Sequence, residues 1–144
     1  MGGRGTFAVG NPVEYTFEKV DEIHGVKILE PIDKSGSFKM PVESHSSQSY
    51  ILLDKHSGIF RQYREFNNMH LITKEIGYHF ESGLSEHGES VFHIHEYSKP
   101  GIDFRQKARL MRPEETQKYR KYFVNISNGD IDNYIELYHR RSGK

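Results

Sequence analysis

Two imidazoles and a phenol share one parity in Val91-Phe92-His93-Ile94-His95-Glu96-Tyr97. Successive side chains of a β-strand point to opposite faces, so His93, His95 and Tyr97 stand together on one side. Phe92 and Ile94 are left to anchor the other side in a core. Imidazole changes charge near neutral pH, so such a pair can move protons, and its lone pairs can also hold a cation. Zinc needs a third ligand, and His79 and Glu81 alternate on the preceding segment, where they can stand beside the pair. The jelly-roll pattern, a Glu a few residues after His-x-His, is missing, because Tyr97-Ser98-Lys99-Pro100 follows. The expectation is therefore metal-free proton transfer or ligand binding, with no metal and no cofactor. A solvated polar face is the plain alternative.

Other stretches offer partners. In Ser44-His45-Ser46-Ser47, His45 is set between hydroxyls ahead of a strand, which suits a general acid or base held in one orientation. Loop composition accounts for it equally well. A hydrolase triad has no support, since no Gly-x-Ser-x-Gly elbow occurs. Arg61 and Arg64 have opposite parity on one strand. Arg61 shares its side with Tyr63 and Glu65 and is the candidate phosphate clamp. Arg64 falls with Phe60 and Phe66, where a core-side arginine calls for a partner carboxylate. Lys99, Arg105, Lys107, Arg109, Arg112, Lys118, Arg120 and Lys121, interleaved with Phe104, Tyr119 and Tyr122, could track a nucleic-acid backbone. Glu114 and Glu115 dilute that patch, and a charge run is more often a solvated face.

The elements that must position these groups follow from periodicity. Residues 1–12 read as a flexible Gly-rich arm, and 13–144 as a single α+β domain. Residues 13–30 form a hairpin about His24-Gly25. Residues 31–48 carry no periodicity. Segments 49–54, 59–66 and 69–81 read as strands joined by tight turns, with 91–97 as the next strand after a loop. Pro113, followed by Glu114 and Glu115, starts a helix. Ser127 and Asp130 resemble the cap of a second one, striped by Ile131, Tyr134, Ile135 and Tyr138. The expected architecture is α+β: an antiparallel meander sheet of four to six strands, with two C-terminal helices packed on one face and the other face free for chemistry.

Composition narrows the classes. The 144 residues carry 20 basic and 20 acidic side chains, so no global field draws nucleic acid or membrane. There is no cysteine, which excludes disulfides, thiolate nucleophiles and thiolate-bound zinc. No apolar run approaches the roughly 20 residues of a membrane span, so no membrane partner is expected.

Several phrases together carry a resemblance. They are Gly2-Gly3-Arg4-Gly5-Thr6-Phe7 with Gly10-Asn11-Pro12-Val13, Gly25-Val26-Lys27-Ile28-Leu29, and His45-Ser46-Ser47 with Tyr50-Ile51. Phe60-Arg61, Glu75-Ile76-Gly77-Tyr78-His79 and His93-Ile94-His95-Glu96-Tyr97 complete the set. Across most of residues 2–123 the chain resembles small phage and prophage proteins of Gram-positive bacteria, found alone or at the C-terminus of phage minor head proteins. Those domains look like members of the barnase–EndoU–colicin–RelE nuclease class. The resemblance implies metal-independent cleavage of RNA in the host bacterial cytoplasm, or a protein carried with the virion. That class places a helix before its sheet, and none reads here. The implied catalytic set is His93 or His95 with His45 for proton transfer, Arg61 on phosphate, and Tyr97 orienting a histidine or the substrate. The alternative is a non-enzymatic phage accessory or anti-defence protein that binds a host factor or a nucleotide signal.

Overall fold

The computed structural model describes residues 17–31, 49–54 and 56–142. The arm at 1–12 and the segment carrying His45 lie outside the described residues. Seven strands form one sheet in chain order: β1 (Phe17–Ile23), β2 (Val26–Pro31), β3 (Ser49–Leu53), β4 (Phe60–Phe66), β5 (Ile72–His79), β6 (Val91–Glu96) and β7 (Arg109–Leu110). Helices α1 (Pro113–Tyr119) and α2 (Asn128–Ser142) follow. The fold is α+β as expected, with one strand more than the expected four to six. The additional strand is β7, whose two residues are too few to show alternation.

Local chemistry explains the turns and caps. β1 and β2 pair through Ile23 and Val26, and both loop residues, His24 and Gly25, take positive φ (49° and 80°). Positive φ at both positions matches the right-handed twist of a two-residue hairpin. β2 and β3 are the exception to the meander, because they pair in parallel. Parallel neighbours need a crossover of a dozen residues or more, and the chain between Pro31 and Ser49 is long enough. At α1 the Glu115 carboxylate accepts the Arg112 backbone N–H at 2.8 Å. At α2 the Ser127 hydroxyl oxygen accepts the Asp130 N–H at 3.1 Å.

Both helices pack on one sheet face. Phe60, Tyr63, Ile76, Phe92 and Ile94 meet Tyr119, Phe123, Ile131 and Tyr134 in a buried cluster. Phe92 is its centre, stacked on Phe123 at 4.4 Å and edge-on to Tyr134 at 5.1 Å. The buried Tyr134 hydroxyl shares its proton between the carbonyls of Met111 (2.6 Å) and Phe92 (2.9 Å), tying α2 to the sheet edge.

A register shift between β3 and β4 sets which residue faces which way. Leu52 pairs with Gln62 and Leu53 with Phe60, so Arg61 is an extra residue on β4. This bulge puts Phe60 on the same face as Tyr63. The simple parity count, which joined Phe60 to Arg64, is corrected by it. Beyond the bulge, Gln62 and Arg64 turn to the face opposite the helices, beside a second apolar cluster of Leu29, Tyr50, Leu52, Phe66 and Ile72.

Candidate functional site: a buried polar ladder ending in two histidines and a glutamate

The alternation in β6 holds: Phe92 and Ile94 enter the helix-side core, and His93 and His95 stand on the opposite face. That face is not an open polar surface. His93 is 2% exposed and His95 8% exposed. Two rungs cross three strands here. Gln62 pairs with Gly77 and Gly77 with His93, while Arg64 pairs with Glu75 and Glu75 with His95.

The lower rung is an ionic network centred on Glu75. This carboxylate is 3% exposed, with the buried Arg64 guanidinium 3.5 Å away and that of Arg105 3.2 Å away. Gln62 and Tyr97 also donate to it, each at 3.3 Å. A buried carboxylate needs such partners, because desolvating it alone is costly. Tyr97 therefore orients none of the described histidines. Its hydroxyl is committed to Glu75, and burial, with the Glu75 charge second, pushes its pKa up to about 12. Arg64 has the carboxylate that its position called for.

The upper rung leads to the chemical centre. A Cβ at Gly77 would lie 2.8 Å from Nε2 of His93, so only glycine leaves room for this imidazole. Resting over that gap, the ring meets His79 edge-on at 4.5 Å, and its Nε2 lies 3.4 Å from Oε1 of Glu81. His79 and Glu81 are half-buried at the end of β5 and just past it. The loop that follows is held by Glu81: its carbonyl accepts the N–H of Leu84 (3.0 Å) and of Ser85 (2.9 Å), and its own N–H donates to the Ser85 hydroxyl (2.9 Å).

Backbone carbonyls settle the tautomers. Nδ1 of His93 lies 3.0 Å from the Val91 carbonyl, and Nδ1 of His79 lies 2.6 Å from the Phe80 carbonyl. A carbonyl only accepts, so both Nδ1 atoms carry hydrogen, and in the neutral ring the lone pair is at Nε2. Nδ1 of His95 likewise donates to the Gln106 carbonyl at 2.7 Å. Burial, helped by the neighbouring His79 and His95, lowers the His93 pKa to about 4 against the opposing pull of Val91 and Glu81. His93 is thus neutral at pH 7, and its contact with Glu81 is not an ion pair at that pH.

The other expected residues are dispersed. Arg61, on the bulge, pairs with Asp54 at 3.7 Å and does not join His93 and His95. The exposed guanidinium on the histidine face belongs to Arg105, brought in by the loop after β6. The arginines of the basic run are paired with carboxylates. Arg109 bridges Glu115 (2.8 Å) and Glu96 (3.2 Å), and Arg120 pairs with Asp132 (3.0 Å). His79 and Glu81 were legible as neighbours of the β6 pair. Arg105 was legible only as part of the basic run, and Glu75 and Gly77 were given no site role, although a glycine inside a strand is itself a sign of close approach.

No family, no curated protein and no solved structure was found to match the chain.

Proposed function

We propose that the histidine face cleaves phosphodiester bonds in RNA or a nucleotide. The observation that carries this reading is the convergence of His79, Glu81 and His93 at the accessible end of a buried polar ladder. Buried polar groups cost stability unless satisfied, and clusters of perturbed titratable groups are more frequent at working sites than elsewhere. Arg105 supplies a cation on the same face. The phage-nuclease resemblance supplies the substrate class.

The chemistry balances with few groups. The centre takes the proton from a ribose 2′-hydroxyl, that oxygen bonds to phosphorus, and the P–O5′ bond breaks. An acid returns a proton to the leaving O5′, and a cation steadies the crowded phosphorane. His95, whose ring lies 6.1 Å from that of His93, would act as the acid through a protonated Nε2, and Arg105 as the cation. His45 is the second proton-transfer group that the sequence suggests.

Incubating the purified chain with RNA tests this. Loss of one proton-transfer group costs roughly 100- to 10,000-fold in rate. His79→Ala is expected to lose that much, and Arg61→Ala to stay active. Comparing His95→Ala with His45→Ala identifies the acid. RNA left intact by the wild-type protein would sink the reading.

The near-complete closure of His93 and His95 favours a second reading. In it the chain is a non-enzymatic accessory protein that holds a nucleotide signal or a host factor. Tight nucleotide binding without turnover, lost in Arg105→Ala, would select it.

A further inference from the structure

We propose that His79, Glu81 and His93 bind one divalent transition-metal ion of the zinc class. One ligand atom from each residue lies within 4.8 Å of the other two. Two ligands on a tetrahedral ion at zinc bond lengths stand about 3.3 Å apart. The separation of His93 Nε2 from Glu81 Oε1, 3.4 Å, already matches it. Closing His79 onto the same point takes only a side-chain adjustment at a half-buried position.

Polarity argues in the same direction as distance. With both Nδ1 hydrogens committed to the carbonyls of Phe80 and Val91, the two Nε2 atoms and the Glu81 carboxylate all present lone pairs. Three acceptors facing one another repel unless a cation or a shared proton lies between them. A ligating histidine that donates its other N–H to a backbone carbonyl is the usual outer arrangement of a metal site. Gly77 adds the space, since any side chain there would meet the His93 ring.

The donor set limits the ion. Two imidazole nitrogens and one carboxylate suit zinc and its neighbours, whereas calcium and magnesium prefer oxygen alone. Three protein ligands, two of them half-buried, leave a fourth position for water or substrate. The acid comes from the end of the preceding strand, which a search for a Glu downstream of His-x-His overlooks. The role of the ion rests on the phosphodiester reading: it would neutralise a phosphoryl oxygen, and its bound hydroxide would replace an imidazole as the base. The binding itself does not depend on that reading.

The test strips the full chain with EDTA, removes the chelator, and titrates Zn²⁺ by calorimetry and Co²⁺ by its visible tetrahedral absorption. One equivalent is expected to bind. His79→Ala and Glu81→Ala, both half-buried and away from the core, are expected to lose at least about 100-fold in affinity while keeping the wild-type circular dichroism. Absent binding, or wild-type affinity in both variants, overturns the proposal. RNA cleavage that persists in EDTA without bound metal overturns the catalytic role of the ion and leaves its binding to the titration. One bound ion with no cleavage of RNA upholds the site and sinks the phosphodiester reading instead.

Discussion

The two faces of one sheet solve opposite problems with the same alternation. On the helix side, Phe92 and Ile94 bury hydrocarbon against α1 and α2. On the other side, the residues between and beside them, His93 and His95, are also buried, but among polar and charged groups. Burying aromatic surface stabilises directly, whereas burying Glu75, Arg64 and His93 must be offset by partners. The difference teaches that the helix face keeps the chain folded, while the histidine face tolerates its cost to hold specific lone pairs in place.

The largest expected effect probes the helix face. Phe92→Ala empties the centre of the aromatic cluster and should destabilise by about 3–5 kcal/mol, read from urea denaturation. A smaller loss would mean that the neighbouring rings collapse into the gap. On the histidine face, Glu75→Ala removes the carboxylate facing the buried Arg64. It should cost about 3 kcal/mol or slightly more, because a lone buried charge is worse than none. If the double variant Glu75→Leu with Arg64→Met recovers that stability, the network serves something other than folding.

Gly77→Ala comes next, at about 1–3 kcal/mol, since its Cβ must displace a buried imidazole. It should also disperse the centre, so its His93 ring resonances should shift while the helix-side aromatics stay in place. The smallest effect lies at the α1 start. Hydrogen bonds from Arg109, with help from the Arg112 N–H and against some burial, lower the Glu115 pKa to about 2. A carboxylate depressed in the folded state adds stability above its unfolded pKa and loses it as pH falls toward the folded value. Stability should therefore decline between about pH 4.5 and 2. Glu115→Gln should flatten that limb slightly, because the group is partly solvated.

Much of this contrast was readable in the chain. The parity of Phe92 and Ile94 against His93 and His95 survives unchanged, and the starts of both helices follow from Pro113 and Ser127. What escaped is non-local. A bulge such as that at Arg61 has no propensity signature; it arises from pairing with β3 and reverses the parity on one side of it. Arg105 reaches Glu75 only because the chain after β6 folds back onto the sheet, which no spacing announces. The alternative of a solvated polar face fails for a related reason: His and Glu look solvated in sequence, and only three-strand rungs reveal that their neighbours bury them.

The direct test measures stability and RNA cleavage together in His79→Ala. Here the half-buried member of the centre is removed and the core is left alone. An unfolding free energy within about 0.5 kcal/mol of wild type, the range of surface substitutions, with cleavage down by about 100-fold or more, is what a face built for chemistry predicts. Full cleavage activity in the variant, or a large loss of stability, would contradict it.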